Sequence, residues 1–257
     1  MADSKRPLIL VSNDDSYAAA GVHALISRLV RQADVVAVCP DAPRSGQSMA
    51  ITVNCAMRAT RCDDSSGAPM YMVNGTPTDC VKLAMHTLLP RRPDMVVAGI
   101  NHGSNASVNV LYSGTMGAVM EGCVFGIPSV GFSLTSHAAD ADFTPCFPFI
   151  DEIVASVLRD GLDPGVCLNV NIPAGSAPTE MRCVRPARGK WSDEYENYTD
   201  PHGRPFYWLK GKFENEEPDA EDTDEWCLSH GIVSVVPVEV DRTPLSAVDR
   251  YASCFRH

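Results

Sequence analysis

The sequence predicts an α/β protein: a Rossmann-like, three-layer fold with a mostly parallel sheet and a C-terminal hairpin or arm that leaves it. Three observations carry this. Short, largely apolar runs (Leu8–Ser12, Val35–Val38, Met95–Ala98, Ser129–Leu134) are bounded by polar loops, as strands buried on both faces of a parallel sheet should be. Between the first two, Val22, Leu25, Ile26, Leu29 and Val30 fall on one helical face, giving β-α-β order. Finally, the loops after these runs are rich in Gly, Ser, Asn and Asp, where open parallel sheets bind ligands. No Gly-x-Gly-x-x-Gly follows the first run, so no dinucleotide cofactor is expected.

In order along the chain, Leu8–Ser12 is a strand ended by Asn13-Asp14-Asp15-Ser16, Gly21–Arg31 a helix, and Val35–Val38 a strand closed by Cys39-Pro40. Asp41–Ala50 is a polar loop, Ile51–Met57 looks like a strand, and Arg58–Pro69 a surface turn or hairpin with Asp63–Gly67 at its tip. After a strand at Met70–Val73, Thr76-Pro77-Thr78-Asp79 starts a helix, with Thr76 as N-cap, proline at the first position and an acid at the third. That pattern is explained by helix initiation and is assigned no chemistry. The central stretch is Asp94–Phe132: a strand that ends at Gly99-Ile100-Asn101, a polar loop, and a helix opened by Tyr112-Ser113-Gly114-Thr115. Helix Phe147–Leu158, strand Val166–Ile172, an aromatic hairpin or arm at Pro205–Phe213 and a late strand within His230–Val238 complete the list.

At 257 residues and 45% hydrophobic, the chain can bury one large core, and 1–257 is taken as a single domain. Within it, 1–135 is the metal- and phosphate-binding core and 180–230 an oligomerisation arm with an acidic loop. The net charge of −11 without a basic stripe argues against a nucleic-acid polymer as partner. Much of that charge sits in Glu214–Glu225, eight acids and no base, expected to be a solvated loop. Ten scattered cysteines without Cys-x-x-Cys suit reduced thiols. Lys5-Arg6 precedes an apolar run, Pro7–Val11, too short for a signal peptide, and nothing approaches membrane-spanning length. A cytoplasmic protein with no membrane partner is expected.

Three loops should meet beyond the strand ends: Asn13–Ser16, Arg44–Ser48 and Asn101–Thr115. Together they offer adjacent carboxylates (Asp14, Asp15), hydroxyls (Ser45, Ser48), amides (Asn101, Asn105) and a helix N-terminus at Ser113-Gly114-Thr115. Carboxylates with neutral oxygen donors favour Mg²⁺, Mn²⁺ or Ca²⁺ over zinc. Unpaired amides at a helix start favour an anion. The combination suits phosphoryl chemistry. Each piece also has a plain reading: Asp-Asp as a turn or cap, Arg44-Ser45-Gly46 as a turn, Asn101 and Asn105 as left-handed residues, Ser113 as an N-cap, and His102 as incidental.

At these residues the sequence resembles the SurE family, the survival-protein-E 5′/3′-nucleotidases. The ordered matches are Ile9–Asp15, Pro40-Asp41 with Arg44-Ser45-Gly46 and Ser48, Asn74–Val81, Gly99–Asn105, Tyr112–Thr115, Glu121-Gly122, Gly126–Ser129, Thr223-Asp224 and Gly231–Ser234 with Pro237. The resemblance implies a metal-dependent phosphatase acting on nucleoside monophosphates, a 5′-nucleotidase with 3′-nucleotidase or exopolyphosphatase activity within the same expectation. It implies one Mg²⁺ or Mn²⁺ per subunit held by Asp14, Asp15, Ser45 and Asn101. Asn105, Ser113, Gly114 and Thr115 would hold the phosphate, with Asp14 and Asp15 as the catalytic pair. It also implies a homodimer or homotetramer built through the arm. Departures from the family pattern are Ser16 and Ser107 for glycine, Asn109 for aspartate, Ala98 for serine and Ala19 or Ala20 for proline. A nucleotide-binding module without turnover, or a phosphatase with an aspartyl-phosphate intermediate, is the alternative.

Overall fold

The strand on which the sheet is wound is β1 (Leu8–Ser12), every residue of which is buried. It pairs in parallel with β2 (Asp34–Pro40) on one side and β5 (Met95–His102) on the other, Leu10 lying level with both Val36 and Val96. The computed structural model describes residues 6–175 and 177–255, so Lys5 of the Lys5-Arg6 pair lies outside it. Outward from β2 come β4 (Met70–Val73), parallel, and β3 (Ala59–Arg61), antiparallel. Outward from β5 come β6 (Ser129–Leu134) and β7 (Val166–Ile172), both parallel. The edge is completed by β13 (Val233–Glu239), antiparallel to β7, and β8 (Met181–Cys183), parallel to β13. The chain therefore reverses its winding direction between β1 and β5, which opens a crevice at their C-terminal ends.

Helices cover both faces. α1 (Ala20–Leu29) and α4 (Phe147–Asp160) bury Val22, Leu25, Ile26, Ile150 and Val154 against one face. α2 (Pro77–Leu83), prolonged by a π-helical turn at Ala84–Leu88, and α3 (Gly114–Val124) bury Val81, Met116 and Val119 against the other. α3 is buried over its first ten residues, as expected of a helix caught between sheet and α2. The three-layer α/β arrangement and mostly parallel sheet match the expectation. Away from the sheet, β9 (Gly189–Ser192) pairs with β12 (Lys212–Asn215), and β10 (Tyr195–Thr199) with β11 (Pro205–Leu209), in two antiparallel ribbons. α5 (Asp224–Ser229) precedes β13, and α6 (Leu245–Cys254) buries no residue. Among the described residues, no helix is long and apolar enough to cross a membrane.

Three local readings are corrected. Ile51–Met57 forms no strand: Ile51 and Val53 face solvent, and the Thr52 amide and hydroxyl donate to the Asp79 carboxylate at 3.0 and 2.6 Å instead of joining a ladder. The strand begun at Met95 does not stop at Gly99. It runs to His102 through a register shift between Ala98 and Asn101, at a Gly99 of φ +124° where a side chain would meet the Phe132 carbonyl. The acidic block is not a free loop. Glu217 accepts from Arg185 and Arg188, which hold its carboxyl well below the usual range, Asp222 accepts from Arg185 at 2.8 Å, and Asp224 is fully buried. Repulsion within the run is offset by arginines that are distant in sequence. The Thr76–Asp79 reading holds: it is a capping box, with Thr76 Oγ1 accepting from the Asp79 amide at 3.1 Å and Asp79 from the Thr76 amide at 2.9 Å.

Ser16 and Ser107, which stand where glycine was expected, both adopt positive φ (+88° and +54°). A side chain there costs about 1–2 kcal/mol relative to the right-handed regions. Ser107 offsets part of this by donating its hydroxyl to the Ala187 carbonyl at 2.7 Å; among the described residues the Ser16 hydroxyl has only a 3.4 Å contact with the Ala18 amide. Ser16→Gly should therefore raise the unfolding free energy by about 0.5–1 kcal/mol in urea titrations, while Ser107→Gly should give no gain.

Candidate active site

The crevice is built first around Asp14, the second residue after β1. Its carbonyl accepts from the Arg44 amide at 2.7 Å, tying the loop after β2 to the end of β1. Its carboxylate accepts a short hydrogen bond from the Thr115 hydroxyl in the first turn of α3. Gly114 makes the approach possible, because a Cβ there would lie 2.8 Å from Asp14 Cβ and 3.0 Å from Oδ2. Burial pushes the Asp14 carboxyl up to about 6, against the bond from Thr115 and with a further push from the Asp15 charge.

Asp15 is less buried. One of its oxygens accepts from the His102 amide at 3.0 Å, and the His102 ring nitrogen lies 3.2 Å away. His102 is thus part of the site, its ring edge-on to Phe143 at 5.1 Å, and not incidental. Asn101, buried beside it, donates its amide nitrogen to the Gly103 carbonyl at 2.8 Å, which leaves the carboxamide oxygen for another partner. Ser45 is exposed in the turn after Arg44. Ser113 caps α3, its hydroxyl accepting from the Met116 amide at 3.0 Å, so the plain N-cap reading is also true of it.

Behind Asn105 lies a buried polar network that was not foreseen. Asn171 accepts from the Asn105 amide at 2.8 Å, Asn169 donates to the Asn105 carbonyl at 2.8 Å, and Asn105 donates to the Ser133 hydroxyl at 2.9 Å. The available signal was two asparagines spaced by two in the apolar run Val166–Ile172, hence on one face of a strand.

A second tie comes from the C-terminal half. The buried Asp224 carboxylate accepts from the amides of Ser107, Ala187 and Glu225, each at 2.8 Å, and burial raises its pKa despite them. Trp191 on β9 donates its indole N–H to Asn109 at 2.8 Å. The result is one cavity of about 530 Å³ lined by Asp14, Ser45, Asn101, Asn105 and Ser113. Its remaining wall includes His102, Tyr112, Trp191, Phe213 and Glu225. Asp15, Gly114 and Thr115 are not on that lining; Gly114 and Thr115 pack against Asp14 itself.

Among the described residues, no group of three or more His, Cys, Asp or Glu could hold a metal ion. A cation in this crevice would have to be held by mixed oxygen donors, and the donor set fits a hard divalent ion: two neighbouring carboxylates, a carboxamide oxygen and a hydroxyl. The raised pKa of Asp14 fits too, because burial, with the Asp15 charge adding to it, leaves its carboxylate without a counter-charge.

Fold and site together define a Rossmann-like α/β protein with a polar crevice, lined by a carboxylate, carboxamides and a helix start, at its topological switch point. The family model described as Survival protein SurE matches residues 9–193, and the chain belongs to the SurE family. It is 48% identical over 239 residues to the 5′-nucleotidase SurE of Phocaeicola vulgatus, covering 93% of each chain. It is 45% identical over 251 residues to that of Bacteroides fragilis, covering 98% of each. The solved structure of the SurE protein from Aquifex aeolicus superposes with a TM-score of 0.83 at 32% identity, over 96% of this chain and 99% of that one.

Asp14 sets a signed stability prediction. A folded pKa of about 6, above the ordinary 3.8, favours the protonated form, so the metal-free fold is penalised as pH rises between these values. The penalty is complete above pH 6. Asp14→Asn should therefore raise the stability of the metal-free protein near pH 7.5 by about 1–3 kcal/mol, an advantage that should vanish near pH 4. Thermal melts at both pH values with chelator check this.

Proposed function

We propose that this chain is a metal-dependent 5′-nucleotidase that hydrolyses nucleoside monophosphates to nucleoside and inorganic phosphate. The observation that carries the proposal is the meeting of the Asp14 carboxylate, Asn101, Asn105 and the start of α3 at one cavity. The relatives' shared name, 5′-nucleotidase SurE, points the same way.

Asp14, Asp15, Ser45 and Asn101 hold one Mg²⁺ or Mn²⁺, which when bound supplies charge neutralisation at the phosphate and a water of lowered pKa. Each carboxylate has one oxygen committed within the protein, Asp14 to Thr115 and Asp15 to His102. The second oxygen of each is left to the cation or to the proton of the attacking water. Asn105 and Ser113 bind the phosphate from the cavity wall, and the amides of Gly114 and Thr115 stabilise its charge at the helix N-terminus. The Thr115 hydroxyl acts on Asp14 and not on substrate. His102 is a positioning residue for Asp15.

We also place this protein in the cytoplasm as a homo-oligomer. Its ten cysteines are free. Apolar side chains crowd two surfaces: Tyr195, Tyr207, Trp208 and Leu209 on the β10–β11 ribbon, and Leu245, Tyr251 and Phe255 on α6 and at its end. Such patches mark association surfaces. Replacing 195–209 with a short Gly-Ser turn should lower the mass measured by light scattering, and an unchanged mass would count against the ribbon.

With added Mn²⁺ or Mg²⁺, wild type should release phosphate from nucleoside monophosphates, and EDTA should abolish release. Asp14→Asn and Asn101→Ala should each lose roughly a hundredfold or more in kcat/KM. Tight nucleotide binding without phosphate release would overturn the proposal in favour of a binding module.

A further inference from the structure

The cavity extends past the metal and phosphate donors to a wall that phosphate hydrolysis does not use. Trp191 and Phe213 meet there edge to face, with ring centroids 5.9 Å apart and planes at 65°. Trp191 is held by its bond to Asn109, five residues before α3 begins. Phe213 is held by β12, which packs so closely on β9 that a Cβ at Gly189 would meet its ring. These two residues come from the ribbon that leaves the sheet, yet both face the same space as Asn105 and Ser113.

Glu225 lies on the same cavity, in the first turn of α5. It is partly buried, and among the described residues its carboxyl makes no hydrogen bond or ion pair. Its backbone amide is fixed on the Asp224 carboxylate, which also holds the loop at Ser107. An unpartnered acid in a half-dry wall is costly unless a ligand supplies donors.

We propose, building on the nucleotidase reading, that Trp191 stacks on the nucleobase and Glu225 accepts hydrogen bonds from its edge, selecting guanine nucleotides. An aromatic face takes any base, so Trp191 supplies affinity and Glu225 the choice. An ionised carboxylate only accepts, through two oxygens side by side. Guanine offers two adjacent donors, N1–H and the exocyclic N2–H. Adenine and cytosine each place a lone pair beside their amino group, and uracil offers a single N–H between two carbonyls. A site with paired acceptors discriminates strongly against bases that leave one of them unmatched.

The test compares kcat/KM for GMP, AMP, UMP and the base-free ribose 5-phosphate, using the full chain with saturating Mn²⁺. Burial and the neighbouring Asp224 charge push the Glu225 carboxyl up to about 7, so the assay is run at about pH 8, where it is mostly ionised and guanine keeps its N1 proton. Wild type should prefer GMP to AMP by roughly tenfold, and Glu225→Gln, which offers one acceptor and one donor, should erase or invert that ratio. Trp191→Ala should lower the three nucleotides roughly tenfold more than ribose 5-phosphate, with Trp191→Phe recovering most of the difference. A wild-type GMP:AMP ratio near one, a ratio unmoved by Glu225→Gln, or equal losses for ribose 5-phosphate and nucleotides in Trp191→Ala would overturn the proposal. Absence of phosphate release from every substrate would instead overturn the nucleotidase reading. The base subsite would then be judged by tryptophan fluorescence, which GMP should quench in wild type, ribose 5-phosphate should not, and Trp191→Phe should lose; quenching unaltered by that substitution would sink it.

Discussion

A carboxylate taken almost wholly out of water, between the end of a strand and the start of a helix, is the constraint on which this site depends. Asp14 can occupy that place because Gly114 has no side chain and because Thr115 donates to one of its oxygens. Burial still dominates, lifting the carboxyl to about 6 and disfavouring the charged form by about 3 kcal/mol. A fold shaped for stability alone would place a neutral side chain here. A cation held at Asp14, as proposed above, would recover the cost, so the same feature that weakens the empty protein would sharpen its demand for a metal.

The N-terminal core could hold this carboxylate by itself, but it does not close the cavity. Asp224, 100 residues beyond the end of α3, reaches back to the amides of Ser107 and Ala187, and Trp191 to Asn109. Three amide bonds to one buried carboxylate make a rigid joint, since losing any one leaves a desolvated charge short of a partner. The loop proposed to carry the phosphate donors and the ribbon that carries the aromatic wall are therefore positioned by Asp224 and by the Trp191–Asn109 bond.

Most of the strands and helices of the core were legible because each is a buried run or a single-faced helix whose period is local. Leu8–Ser12 and the Thr76–Asp79 helix start needed nothing from outside. What failed was wherever a distant partner decided the outcome. Ile51 and Val53 have strand-like side chains, but Asp79 captured their backbone neighbour Thr52. Most of the acids 214–225 are exposed as expected, but Glu217 and Asp222 are held by arginines distant in sequence and Asp224 is buried. At the site, the residue types announced a hard cation and an anion, while the second tier stayed hidden: Asn169 and Asn171 behind Asn105, and His102 behind Asp15. Of the substitutions in the family pattern, Asn109 has the clearest structural use, as acceptor for Trp191.

If the Thr115 hydroxyl is what keeps Asp14 ionisable in a dry setting, its removal should show in the pH dependence of metal binding. Mn²⁺ affinity of wild type and Thr115→Val, measured by calorimetry across a pH series, tests this most directly. The account predicts a wild-type midpoint near pH 6 and a midpoint about one unit higher in the variant, with affinity restored at high pH. Superimposable pH profiles for the two proteins would contradict it.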